Sequence, residues 1–141
     1  MGKKSKGILP IISTMPGDNH SVLQLYLDGP KNNFFTFFFN KDTTSEILNN
    51  KFIQKTHSYL KNKSFFEIIH AQKIATEKVF NKKKLPFRSF ELKKRNEEVI
   101  GELFSFFILE TILLGRALKV NPFDQPSVEL IKNETKKILF K

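Results

Sequence analysis

The sequence predicts an α/β fold, a partial doubly wound parallel sheet, and three observations carry that expectation. Residues 34–39 read Phe-Phe-Thr-Phe-Phe-Phe, a run too short for a helix and suited to a strand covered on both faces. Ser64-Phe65-Phe66-Glu67 has the form of a capping box, and Ile68, Ile69, Ala71, Ile74, Ala75 and Val79 follow at helical spacing. Residues 87–92 come just after Pro86, where the next strand of a strand-helix-strand unit should lie.

The other elements follow in order. Residues 8–13 form a short apolar run that reads as a buried strand, with Pro10 tolerable at an edge or bulge. Met15-Pro16-Gly17 makes a turn, Asp18 or Asn19 can cap a helix, and Val22, Leu23, Tyr26 and Leu27 supply its apolar face until Gly29-Pro30 ends it. Residues 40–62 show no dominant period and read as a loop holding at most a helical turn or two. Asn96, Glu97 and Glu98 open a long apolar helix, with acids in the first turn to suit the dipole. Asp124 or Gln125 caps a last helix, with Pro126 in its first turn, Val128, Ile131 and Ile138 inward, and Lys136 and Lys137 near its end.

Composition narrows the function. A chain of 141 residues supports one core rather than two ordinary domains. The absence of Cys excludes disulfides and thiolate metal sites, and points to a reducing, cytoplasmic setting. The most apolar stretch, residues 99–120, is interrupted by Glu102, Glu110 and Arg116, so it reads as a core or interface helix and no membrane partner is expected. Net charge is +10 with a pI near 9.8. Lys, Asn, Ile and Phe dominate the chain, and codons rich in A and T specify all four. With no nucleic-acid-binding motif beside it, the charge does not call for a nucleic-acid partner.

Two stretches carry a more specific signal. Phe123-Asp124-Gln125-Pro126-Ser127-Val128-Glu129-Leu130-Ile131-Lys132 resembles the C-terminal signature of glucose-6-phosphate isomerases: Phe-Asp-Gln, any residue, a small residue, Val-Glu, two more, then Lys. Upstream, His20-Ser21-Val22-Leu23-Gln24 resembles the His-Ser-x-x-Gln helix of the short bacterial members, in the same order along the chain. The family's chain is longer and begins upstream of Met1, so residues 1–141 read as the C-terminal part of a sugar isomerase (SIS) domain. The upstream domain and the catalytic glutamate segment are expected to lie outside it. That glutamate stands, in the short bacterial enzymes, just ahead of a Gly-Lys-rich stretch resembling Gly2-Lys3-Lys4-Ser5-Lys6-Gly7.

The resemblance implies interconversion of glucose 6-phosphate and fructose 6-phosphate, a step of glycolysis and gluconeogenesis. It implies no metal or organic cofactor and a cytoplasmic homodimer acting on a sugar phosphate. Carried over by position, Lys132 and His20 take part in catalysis and Gln125 contacts substrate. Chemistry agrees in outline: a lysine one to two turns into a helix could sit partly buried over a ligand oxygen, and a His in a first helical turn is held neutral by the dipole. Without the motifs, Lys132 reads as a solvated helix lysine and His20 as a structural or solvated residue. Asp124 and Glu129 read as capping or pairing groups, and His57 and His70 as structural. Ser127 departs from the usual Gly or Ala. The piece alone is expected to lack turnover, and a non-catalytic sugar-phosphate- or partner-binding remnant is the alternative reading.

Overall fold

The computed structural model describes residues 2–5, 7–41 and 45–140. Lys6 of the Gly-Lys stretch and residues 42–44 of the expected loop lie outside them. The chain divides into two compact units, Ile11–Ile100 and Met1–Pro10 with Gly101–Lys141.

The Ile11–Ile100 unit is built on a strand-helix-strand motif. The aromatic run forms β1 (Phe35–Asn40), the capped segment forms the helix here called α2 (Phe65–Lys82), and β2 (Phe87–Leu92) pairs parallel to β1 in the register Phe35 to Phe87 through Asn40 to Leu92. A parallel pair needs a long crossover, and α2 with the turns before it supplies one. The capping box is real: Ser64 Oγ accepts from Glu67 N at 3.2 Å and Glu67 Oε2 accepts from Ser64 N at 2.9 Å. At the other end, Leu85 N donates to Phe80 O at 3.0 Å, and Lys84 takes a left-handed φ of 56° to turn the chain into β2.

Strand alternation sorts the two faces of this sheet. Phe35, Phe37 and Phe87 point toward α2, where the Phe80 ring meets them edge-on at centroid distances of 4.8, 5.2 and 6.0 Å. Phe80 is 1% exposed and is the centre of this unit. A short helix, α1 (Val22–Asp28), covers the same side, with the Tyr26 ring edge-on to Phe35 at 5.2 Å and Asp28 paired to Lys83. On the opposite face Phe38 stacks on Phe90 at 5.4 Å, while the Arg88 guanidinium lies over the Phe34 and Phe90 rings and donates to Thr36 Oγ1. His70 stacks on Phe39 at 5.0 Å, which accounts for it structurally. Between β1 and α2 the expected loop holds two short 3-10 turns, Asn50–Phe52 and Lys55–Leu60, closed by an antiparallel bridge between Ile47 and Ser64.

In the other unit, α3 (Glu97–Ala117, its first turn belonging to the Ile11–Ile100 unit) runs down to a tight stop. Asn96 Oδ1 accepts from Val99 N at 3.1 Å to cap its start. Lys119 takes a left-handed φ of 54°, and Val120 N returns to Gly115 O at 2.9 Å. Gly115 is buried because the Pro122 ring lies on it: a Cβ there would stand 3.0–3.1 Å from three atoms of that ring. The chain then enters α4 (Pro126–Leu139).

Two expectations fail. Residues 8–13 form no strand, and Ile12 is 92% exposed. A buried parallel strand exists only where neighbours take its hydrogen bonds, and no described residue offers this segment a ladder. Val128, Ile131 and Ile138 do not point inward either. Every described residue of α4 is exposed, Ile131 at 69%, so its apolar stripe is a surface. The α/β class holds, as a two-stranded parallel sheet with helices.

Candidate functional site

The Phe-Asp-Gln motif forms the turn that starts α4. Gln125 is the residue before the first helical residue, and its carbonyl accepts from Val128 N at 3.0 Å and Glu129 N at 3.2 Å. Its side chain makes no capping hydrogen bond. The helix therefore uses the Gln125 backbone and leaves its amide for another partner. About two turns on, Lys132 Nζ donates to Glu129 Oε1 at 2.6 Å. This ion pair is exposed on both sides, at 60% and 59%, so Lys132 is a solvated lysine and not the partly buried ammonium expected from its place on the helix. Among the described residues of its unit, none buries the apolar stripe that was to shelter it.

Asp124 is fixed by a residue far away in sequence. Lys3 Nζ forms an ion pair with Asp124 Oδ1 and also donates to the Asn121 carbonyl. Hydrogen bonding from Lys3 holds the Asp124 carboxyl below its ordinary value. The same turn is braced internally, with Asn121 Oδ1 accepting from Phe123 N at 3.0 Å, and Lys4 Nζ reaching the Lys119 carbonyl at 3.3 Å. Glu129 thus pairs within the motif as expected, whereas Asp124 takes its partner from outside it, and that role of Lys3 was not legible, because a lysine gives no sign of a partner 121 residues on.

His20 belongs to the Ile11–Ile100 unit. It follows the 3-10 turn Gly17–Asn19 and precedes Ser21, the residue before the first helical residue of α1. His20 is therefore outside the helix and exposed, and the helix-dipole argument for its neutral form does not apply. The turn below it is well tied: Thr14 N donates to Asp18 Oδ2 at 2.6 Å and Asp18 N to Thr14 O at 3.0 Å. The Ser13 and Tyr26 hydroxyls share a hydrogen bond of 2.6 Å. Gln24, the last residue of His-Ser-x-x-Gln, donates to Asp28 Oδ2 at 2.8 Å. Beside His20, neither Asp18 nor Asn19 caps α1 as expected, since Ser21 takes the place before its first helical residue, and Asn19 Oδ1 is buried without a hydrogen-bond partner among the described residues.

A concavity of about 630 Å³ lies elsewhere in the same unit, lined by Ile47, Leu48, Phe52, Ile53 and His57 among others. None of the motif residues lines it. Among the described residues no group of His, Asp and Glu has the arrangement of a metal site, and no helix is long and apolar enough to cross a membrane.

No protein-family model matches the chain. It is similar along nearly its whole length to curated proteins named glucose-6-phosphate isomerase. The relative from Mycoplasmopsis pulmonis (strain UAB CTIP) is 38% identical over 143 residues, covering 99% of this chain and 34% of the relative. Those from Campylobacter jejuni subsp. jejuni and Methanocaldococcus jannaschii are 35% and 31% identical, covering 98% and 100% of this chain and 34% of each relative. The chain thus spans about a third of the length of the relatives it matches. A crystal structure of a hypothetical protein from Thermus thermophilus superposes with a TM-score of 0.77 at 27% identity, covering 89% of this chain and 30% of that one.

Proposed function

We propose that this chain is the C-terminal part of a glucose-6-phosphate isomerase, belonging to its second sugar isomerase domain. The observation that supports this most directly is the similarity over 98–100% of the chain to relatives of that name, with Phe123-Asp124-Gln125 falling at the start of a helix that carries Lys132 about two turns on.

Aldose-ketose isomerisation needs an acid-base pair to open the ring, a base to carry a proton between C1 and C2, and an anchor for the phosphate. On this reading Lys132 and His20 serve ring opening, and the uncommitted amide of Gln125 donates to a sugar hydroxyl. The exposed Lys132 would exchange Glu129 for a sugar oxygen when a substrate and the rest of the enzyme exclude water. The C1–C2 base and the phosphate anchor belong to the two-thirds of the relatives that this chain does not match. The whole enzyme would act as a cytoplasmic homodimer without cofactor, and this chain by itself would have no turnover.

The test is a chimera in which residues 1–141 replace the matching segment of the Mycoplasmopsis pulmonis relative. The chimera should convert fructose 6-phosphate to glucose 6-phosphate in a coupled assay, and Lys132→Ala should lower its turnover by about 10²- to 10⁴-fold. The isolated chain should be inactive. A folded chimera without turnover, or a chimera indifferent to Lys132→Ala, would overturn this reading in favour of a non-catalytic remnant, for which the exposed Lys132-Glu129 pair is the supporting observation.

A further inference from the structure

We propose that Lys3 is a positioning residue for Gln125: by gripping the 121–125 turn from outside, it sets where the Gln125 amide points. The inference rests on the role given to Gln125 above, but its geometry stands independently of that role.

The turn between α3 and α4 is held on two sides. From α3, the buried Gly115 gives the Pro122 ring a flat seat on which no side chain would fit. From the start of the chain, Lys3 spans the turn, with one ammonium donating to both the Asn121 carbonyl and the Asp124 carboxylate. Three N–H groups on one ammonium allow this double contact, which no neutral side chain of that length provides. The Lys3 side chain is only 16% exposed, against 55% for Asp124, so it is laid down in a fixed path rather than extended into solvent. Lys4 adds a second hold at the Lys119 carbonyl.

What the clamp controls is the residue next in the chain. Gln125 follows Asp124 directly, and its backbone is already committed to Val128 and Glu129. With the preceding residue anchored and the following helix started, the direction of the Gln125 Cα–Cβ bond is set, and with it the small volume that its amide can reach. The clamp comes from a segment 121 residues away and ties the Gly2-Lys3-Lys4 stretch to the start of α4.

The test uses Lys3→Met, which keeps the alkyl stem and removes the charge, and Lys3→Arg, which restores it. In the 141-residue chain, NMR should show the Asp124 carboxyl titrating near its ordinary value of 3.8 in Lys3→Met and below it in wild type and Lys3→Arg. The Gln125 side-chain amide resonance should move in Lys3→Met alone. In the active chimera, Lys3→Met should lower kcat/KM by roughly 10- to 100-fold, since small misplacements of a binding group cost that order. Lys3→Arg should stay within a few-fold of wild type. An unchanged Asp124 titration with an unmoved Gln125 amide would overturn the proposal, as would unchanged kcat/KM in an active chimera. If the chimera carrying wild-type Lys3 has no turnover, the isomerase reading fails while the NMR experiment still decides the clamp. Lys3→Gln serves as a second neutral variant should Lys3→Met fail to fold.

Discussion

Lys73 on α2 donates to Glu91 on β2 at 2.9 Å and to Glu77 on its own helix at 3.0 Å, which ties helix to sheet through one ammonium. Burial alone would lower the Lys73 pKa, but hydrogen bonds to Glu91 and Glu77 outweigh it and raise it above the ordinary lysine value. Glu91 also accepts from Lys41 at 2.6 Å.

Glu91 should therefore make stability fall in acid. Hydrogen bonds from Lys41 and then Lys73 hold its pKa at about 2 against an ordinary 4.5. A depressed carboxylate stabilises the fold above its unfolded value, and that contribution is lost as pH falls through the window from 4.5 toward about 2. Thermal melts of wild type and Glu91→Gln should diverge above that window and converge below it. A constant difference at every pH would refute the linkage.

Phe80→Ala should be among the most damaging changes to the Ile11–Ile100 unit. It removes a ring that is 1% exposed and meets Phe35, Phe37 and Phe87, and large-to-small core changes of this kind cost roughly 3–5 kcal/mol. Urea unfolding followed by circular dichroism measures it, and a loss under about 1 kcal/mol would show that the aromatic cluster is not the core.

Two glycines of α3 should respond in opposite directions. At Gly101 an added Cβ meets nothing within 4 Å, so Gly101→Ala should gain about 0.5–1 kcal/mol from helix propensity. At Gly115 the Pro122 ring occupies that space, and Gly115→Val should cost about 1–3 kcal/mol through overpacking. Equal effects at the two sites would mean that Pro122 is not seated on Gly115.

The apolar surfaces of α3 and α4 should drive association of the chain when it is alone. Phe104, Ile108 and Leu113 on α3 are 65%, 60% and 64% exposed, and Ile131 and Ile138 on α4 are exposed as well. Sedimentation should show mass rising with concentration, and Ile131→Lys with Ile138→Lys should reduce it. A monodisperse monomer across the micromolar range would contradict this.

The parts of the fold legible in sequence are those whose cause is local. The capping box of Ser64 and Glu67, the aromatic run of β1 and the Pro126 start of α4 each needed only their neighbours in the chain, and each stands where the pattern put it. The failures needed a partner. Ile8, Leu9, Ile11 and Ile12 are apolar enough for a strand, but a strand requires a ladder, and Val128 and Ile131 are spaced for burial without a surface in their unit to bury them. At the candidate site, motif spacing located Gln125 just before α4 and Lys132 on it, while the state of Lys132 depended on Glu129 and solvent. His20 missed the helix because Gly17–Asn19 closes its own 3-10 turn first.

The parallel register has a consequence for how β2 chooses its orientation. The side of β2 facing α2 carries Phe87, Ser89 and Glu91, and the side turned away carries Arg88, Phe90 and Leu92. Sorting by oil alone would turn the strand over, since the outward set holds two apolar side chains and the inward set one, and a shift of one residue exchanges the sets entirely. What rejects that arrangement is polar: Ser89 donates to Glu77, and Glu91 answers Lys73 and Lys41. Aromatic rings on β1 and α2 make the strand adhere, while charges on Lys41, Lys73 and Glu77 tell it which way to face. Neutralising those charges would leave the facing of β2 to its ring contacts, Phe87 with Phe80 and Phe90 with Phe38, and to the hold of Arg88 on Thr36.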